Sequence, residues 1–302
     1  MPGTITHVYV ADKIMEKMPD QTQEILRRNL DVYHLGATGS DVLFVLREVG
    51  HRDERMANAM HNTKVGELFA RFVDSLKHNY SETKFAYALG YLAHYAADRI
   101  AHPFVNYFVE NYLPKELPAE FVPFGHNLIE SAGDMYVAEI LFKNKNIKIW
   151  KHIRPSRPER YAVGRFYGEA VNPIYGSKLS AAHFSHSVRI FKAFMHLTYD
   201  PKCKKRKLFT FLERIMSHGA KQLTALSAPP FGLGSIDYLN LAKRPYRAVR
   251  NEPFMIDMSY PQIVETSILG GINYFKMFLK AVEGGPALVA KDFSINFDGV
   301  RV

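Results

Sequence analysis

Apolar residues recur along most of this chain at the three- and four-residue intervals of an amphipathic helix, not in the alternation of a strand. That spacing predicts helices over Gln21–Asp31, Arg52–Lys77, about Lys84–Ile100, Pro103–Tyr112, His126 to about Asn144, Arg160–Ala170, Ser177–Leu197, Leu208–Leu226 and about Gln262–Val282. The residues before Gln21 read as a short extended lead, and Tyr33–Ser40 as a glycine-containing loop running into a helix capped by Ser40 or Asp41. Pro229–Pro261 reads as a long irregular stretch, and Phe293–Gly299 as an extended tail. No internal repeat or clean boundary interrupts the pattern. We therefore expect an all-α protein with a single helical domain over residues 1–302.

One predicted helix carries unusual cargo. Ala88–Pro103 is rich in Ala, Leu and Tyr, yet His94, Asp98 and His102 fall four residues apart, on one stripe. Burying a carboxylate between imidazoles is costly unless a cation compensates it. A metal ion would do so; a plain ion pair or a hydrogen-bonded core histidine remains the alternative. Pro103 lacks a backbone donor and disfavours helical geometry at His102, so the helix is expected to end or kink there and turn His102 toward a second metal. A second stripe follows, in which His126, Glu130 and Asp134 again stand four apart. His7 lies in an apolar run, His61 on or near an apolar helix face, and Asp41 on the tight turn, as a cap, a ligand or a base. His34 and His51 sit in more polar surroundings and rank below His61, and His183 and His186 read as structural or rim residues. Tyr87, Tyr91 and Tyr95 read as packing residues with wet hydroxyl tips.

Composition narrows the picture. With 47% hydrophobic and 23% charged residues among 302, the chain is ordinary globular material. The single cysteine, Cys203, rules out a disulfide framework and a cysteine-based zinc site. The opening residues lack the basic and apolar blocks of a secretory signal, and no apolar run is long enough to span a bilayer, so a cytoplasmic protein is expected. The net charge of +9 favours anionic partners, and the densest cluster is Lys202, Lys204, Lys205, Arg206 and Lys207. Such a run is either a solvated segment or a peripheral contact with an anionic membrane. The single Trp150 offers few strong stacking platforms for single-stranded nucleic acid, and no specific nucleic-acid partner is expected.

The ordered set Thr6-His7, Gly36-Ala-x-x-Ser-Asp41, Met60-His61, Leu89-Gly-x-x-x-His94-x-x-x-Asp98 through His102, and His126-x-x-x-Glu130 resembles the zinc-dependent phospholipase C family. The resemblance covers roughly residues 1–145, and the Asn-Phe-Asp-Gly tail also looks like that of intracellular bacterial members. It implies an all-helical fold with a multi-metal cluster, the metal-site core lying within residues 1–145. Carried over by position, Asp41, His61, His94 and Asp98 would hold one zinc, and His102, His126 and Glu130 a second. His7 and a bridging Asp98 would contribute to a third. Secreted members space the central motif more widely and use an amino-terminal tryptophan as a ligand. This chain has none near His7, which leaves the third position short of donors. The implied activity is hydrolysis of a phospholipid or related phosphodiester by metal-activated water, with Asp41 also orienting that water or taking its proton. Two or three zinc ions are expected, although iron or manganese could use the same ligands. A nuclease or nucleotide phosphodiesterase on the same metals, and a non-catalytic membrane-binding protein with a structural metal, are the competing readings.

Overall fold

The computed structural model describes residues 3–44, 53–200, 204–216, 224–225 and 236–302. His51, Lys202 and Cys203 lie outside them. In chain order the helices are α1 (Thr4–Met15), α2 (Asp20–Arg28), α3 (Leu30–Ala37), α4 (Asp41–Phe44), α5 (Asp53–Asn62), α6 (Val65–His78) and α7 (Glu82–Asn111). There follow α8 (Leu113–Glu116), α9 (Gly125–Tyr136), α10 (Arg157–Phe166), α11 (Asn172–Tyr175), α12 (Ala181–Thr198), α13 (Lys204–Met216) and α14 (Tyr260–Val282). The only sheet among the described residues is a two-residue antiparallel hairpin, β1 (Tyr246–Arg247) with β2 (Met255–Ile256). The protein is all-α. No described helix is long and apolar enough to cross a membrane.

The axis of the fold is α7, 30 residues long and buried around most of its circumference up to Asp98. Its start is fixed by Ser81, whose hydroxyl accepts from the Lys84 amide. Contrary to expectation, α7 runs through Pro103 without ending. An interior proline costs about 3 kcal/mol in an isolated helix. Here buried Pro103, Phe104, Val105 and Phe108 pack the turn on both sides of the break, and tertiary burial overrides propensity. The far end of α7 is braced by the β1–β2 hairpin, where Tyr246 packs on Phe104 and Phe108. This hairpin lies within the stretch expected to be irregular.

α3 crosses α7 at two glycines. A Cβ on Gly36 would stand 2.3 Å from the Tyr87 carbonyl oxygen, and one on Gly90 2.1 Å from that of Tyr33. The two backbones therefore touch directly. The predicted Tyr33–Ser40 loop is helical as far as Ala37, and only Thr38–Ser40 turn the chain into α4.

The predicted extended lead is also a helix. Ile5, Val8 and Val10 suit a strand, but α1 is buried on several sides and its N-terminus is capped from afar. Asp134 accepts hydrogen bonds from the Ile5 amide at 3.1 Å and from the Thr6 amide and hydroxyl at 2.8 Å. Those amides would otherwise be orphaned at the start of the helix. Asp134 thus leaves the stripe of His126 and Glu130 to hold α1 in place.

The tyrosine tips are dry. Tyr87, Tyr91 and Tyr95 are fully buried, their hydroxyls bonded to Tyr167, Ser40 and the Ile295 carbonyl. The tail is not extended either. A short 3₁₀ turn (Ala290–Phe293) leads into a tight reversal closed by the Ile295–Arg301 bridge, with Gly299 at φ +71°. Helix α13 begins at Lys204, earlier than the expected Leu208, because the Asp200 carboxylate accepts from the amides of Lys204 and Arg206 at 2.8 and 2.7 Å.

Candidate metal centre

Asp98 is the hub. One carboxylate oxygen lies 3.1 Å from Nε2 of His7 and 3.9 Å from Nε2 of His102. The other lies 3.2 Å from Nε2 of His94 and 3.7 Å from Nε2 of His61. Asp41 completes this side, 3.3 Å from His61 and 3.9 Å from His94. Beyond His102, Glu130 stands 3.7 Å from its Nε2 and 2.9 Å from Nε2 of His126. All eight residues singled out in the sequence therefore meet in one place, supplied by α1, α4, α5, α7 and α9. His34 does not: it pairs with Asp12 at 2.7 Å and donates to the His152 carbonyl.

Local structure explains the convergence. His94, Asp98 and His102 occupy successive turns of α7, so their side chains stack. Gly39, at φ +54°, lets the chain turn beneath His94; a Cβ there would come within 2.1 Å of the imidazole. α7 does not end at Pro103, and the His102 ring faces Asp98 and Glu130 together, within ligand distance of the second set of donors, His126 and Glu130.

The ring orientations are set from outside. His61 donates through Nδ1 to the Ala57 carbonyl at 2.9 Å, with the Ser40 hydroxyl at 3.1 Å. His102 donates through Nδ1 to the Phe297 carbonyl at 2.8 Å. A carbonyl can only accept, so Nδ1 carries hydrogen in both rings and Nε2 is turned toward the cluster. This is the arrangement metal-bound histidines commonly use. Asp298 adds a carboxylate 3.5 Å from Nδ1 of His102. The ring of Phe297 sits among His61, Tyr91, His94 and Tyr95 at centroid distances of 5.0–5.7 Å. Sequence reasoning gave Ser40 only as a cap and missed Phe297 and Asp298 as supports; the Phe-Asp-Gly turn of the tail was the visible signal of the latter two.

The donors fit a metal. Both ring nitrogens of His94, and Nδ1 of His7, are buried without a hydrogen-bond partner among the described residues. Three sets have ligand atoms within 4.8 Å of one another: His7, Asp41 and His94; His61, His94 and Asp98; His102, His126 and Glu130. Imidazole and carboxylate are ligands that zinc accepts. A family model for zinc-dependent phospholipase C matches residues 6–171, more than half of the chain and inclusive of all eight residues. The chain belongs to that family. No curated protein and no solved structure matches it. As a member of the zinc-dependent phospholipase C family, it is in general terms a metal-dependent hydrolase.

Electrostatics separates the roles of these groups. Burial opposes the charge on Asp98, but His94, His102 and His7 outweigh it and hold the carboxyl well below its ordinary range. Asp41 is also lowered, its burial outweighed by His94 and His61. Glu130 is held down by His126 and His102 against its own burial. Burial drives His94 down to about 4 despite Asp98, with His7 and His61 adding to the fall. His102 is buried too, yet Asp98 and Glu130 raise it to about 10.

In the metal-free fold His102 is therefore an imidazolium at neutral pH, and a metal taking Nε2 must displace its proton. Zinc loading is expected to release protons and to tighten as pH rises from 6 to 8, by about tenfold per pH unit for each proton displaced. Isothermal titration calorimetry in buffers of different ionisation enthalpy measures this. Loading without proton release would remove Nε2 of His102 from the ligand set. Without metal, His102 stabilises the fold fully below its ordinary 6.5 and loses that contribution as pH rises through about 10. Asp98 does the reverse, contributing above its ordinary 3.8 and losing it as acid protonates the lowered carboxyl.

Proposed function

We propose that this protein hydrolyses an anionic phosphodiester, with a phospholipid cleaved in the manner of a phospholipase C as the preferred substrate. The observation that carries this reading is the meeting of five histidines and three carboxylates around Asp98 and Glu130. Asp41, His61, His94 and Asp98 form one ligand set, and His102, His126 and Glu130 a second. His7 with Asp98 forms a third set with fewer donors. Zinc bound there would neutralise phosphodiester charge and lower the pKa of a water toward about 7.

The chain's own groups do the rest. Asp41, ionised and partly open, is the residue placed to orient the attacking water or accept its proton. His126, with 35% of its side chain exposed, is the most open of the eight, so the substrate phosphate enters on that side. Phe297 and the tyrosines packed on it wall the cluster beside His94.

Stripping the metal with a chelator should abolish hydrolysis of bis-(p-nitrophenyl) phosphate and of phospholipids, and zinc should restore both. The apparent unfolding temperature should fall by about 4 °C per tightly bound metal, since a ligand at a hundred times its Kd contributes about 2.7 kcal/mol. Full activity in verified metal-free protein would sink the proposal. Turnover of nucleotide diesters in preference to choline, ethanolamine or inositol lipids would transfer it to the nuclease reading.

A further inference from the structure

Helix α13 exposes the wrong face for a helix with nothing to bind. Leu208, Phe211, Leu212 and Ile215 are 54%, 61%, 36% and 65% exposed. At 100° per residue they fall within an arc of roughly 100°, a continuous apolar stripe. The opposite side is anchored, with Phe209 and Glu213 buried and the Glu213 carboxylate accepting from the Thr224 hydroxyl at 2.6 Å. The stripe therefore belongs to a helix whose inner face is already in use.

Charge says what covers it. The first turn carries Lys204, Lys205, Arg206 and Lys207, crowding four cations at the positive end of the helix dipole. Helix stability alone disfavours that placement. Lys205 is partly used, donating to the carbonyls of His196 and Leu197. Lys204 and Lys207 point into solvent beside the stripe. An apolar stripe bordered by cations is the signature of a helix lying in the interface of an anionic bilayer. A protein partner would need only the stripe; the cations, on a chain of net charge +9, favour lipid.

Position fits this role. Residues Thr224 and Ala225, held by Glu213 from α13, reach α9, where the Ser131 hydroxyl donates to the Ala225 carbonyl at 3.5 Å. Ser131 follows Glu130 directly. We infer that α13 is a membrane-docking helix which inserts Leu208, Phe211, Leu212 and Ile215 among the lipids of an anionic bilayer and seats Lys204 and Lys207 on their head groups. The inference extends the lipid reading above by assigning the surface that approaches the substrate layer.

Cosedimentation with vesicles tests it, using the zinc-loaded protein and phosphatidylcholine with or without phosphatidylglycerol. The wild type should partition onto the mixed vesicles. Phe211→Ser/Ile215→Ser should weaken partition at least about tenfold, by removing two inserted side chains. Lys204→Gln/Lys207→Gln should weaken it about fivefold per cation, and only on the anionic vesicles. Unchanged unfolding midpoints and zinc content keep the variants comparable, since all four side chains are exposed. Wild-type-like binding by Phe211→Ser/Ile215→Ser would overturn the inference. So would a wild-type dimer in sedimentation velocity that this variant turns into a monomer, because the stripe would then belong to a second copy. Vesicle binding does not require turnover, so chelator-sensitive diesterase activity with no docking defect removes α13 and leaves the proposed function standing. Docking without metal-dependent activity does the opposite.

Discussion

Asp98→Asn should lose at least one tightly bound metal per chain and lower diester turnover on the order of a thousandfold or more. Asn keeps the shape and one acceptor oxygen but removes the charge, and that charge faces four imidazoles within 3.1–3.9 Å. No other residue of the cluster touches both groups of donors so centrally. Without metal, Asp98→Ala should also destabilise the fold by about 3–5 kcal/mol, because buried His102 loses the chief partner of its charge. Metal analysis by mass spectrometry and urea unfolding of the chelated protein read the two effects separately. His183→Ala, on α12, is the control and should leave the metal count intact. An unaltered count in Asp98→Asn would mean that Asp98 is an ion-pair partner and not a bridge between metals.

The second large effect lies outside the cluster. Gly90→Ala would place a Cβ 2.1 Å from the Tyr33 carbonyl oxygen, 2.8 Å from Gly36 Cα and 2.9 Å from the Ala37 amide nitrogen. All three obstacles are backbone, so neither helix can yield by a rotamer change. Alanine gains about 1 kcal/mol of helix propensity over glycine. Overpacking typically costs 1–3 kcal/mol and more against rigid neighbours, so we expect a net loss of about 2 kcal/mol or more. The displacement should reach the metal centre, since Asp41 follows α3 by one short turn. Gly270→Ala, whose Cβ meets nothing within 4 Å on α14, should instead stabilise by about 0.5–1 kcal/mol. Opposite signs for these two glycine substitutions, read from urea midpoints, are the test; equal signs would show that the α3–α7 crossing tolerates a methyl group.

Local periodicity explains what the sequence made legible. His94, Asp98 and His102 share a stripe because the helix repeat puts them there, and His126 and Glu130 repeat that logic on α9. Asp134 obeyed the same spacing and yet serves as the cap of α1, 128 residues earlier in the chain. Spacing places side chains on a face but does not say what stands opposite. α1 was misread for the complementary reason: its β-branched residues suit a strand, and the group that ends the argument in favour of a helix is remote. α7 does not end at Pro103, because a local preference worth a few kcal/mol met a packed environment. The roles of Phe297 and Asp298 have no periodic trace at all, since they depend on a single turn packing against a helix 195 residues earlier in the chain.

That fold-back also orders events during synthesis. Phe297 is 195 residues from His102, whose ring it fixes. A ribosome adding 5–20 residues per second delivers it roughly ten to thirty seconds after the last of the eight clustered side chains. Throughout that interval the nascent chain holds its histidines and carboxylates without the carbonyl that selects the His102 tautomer, and without the aromatic wall behind His61 and His94. Completion of the centre is therefore a late step, timed by arrival of the tail and not by formation of the helices.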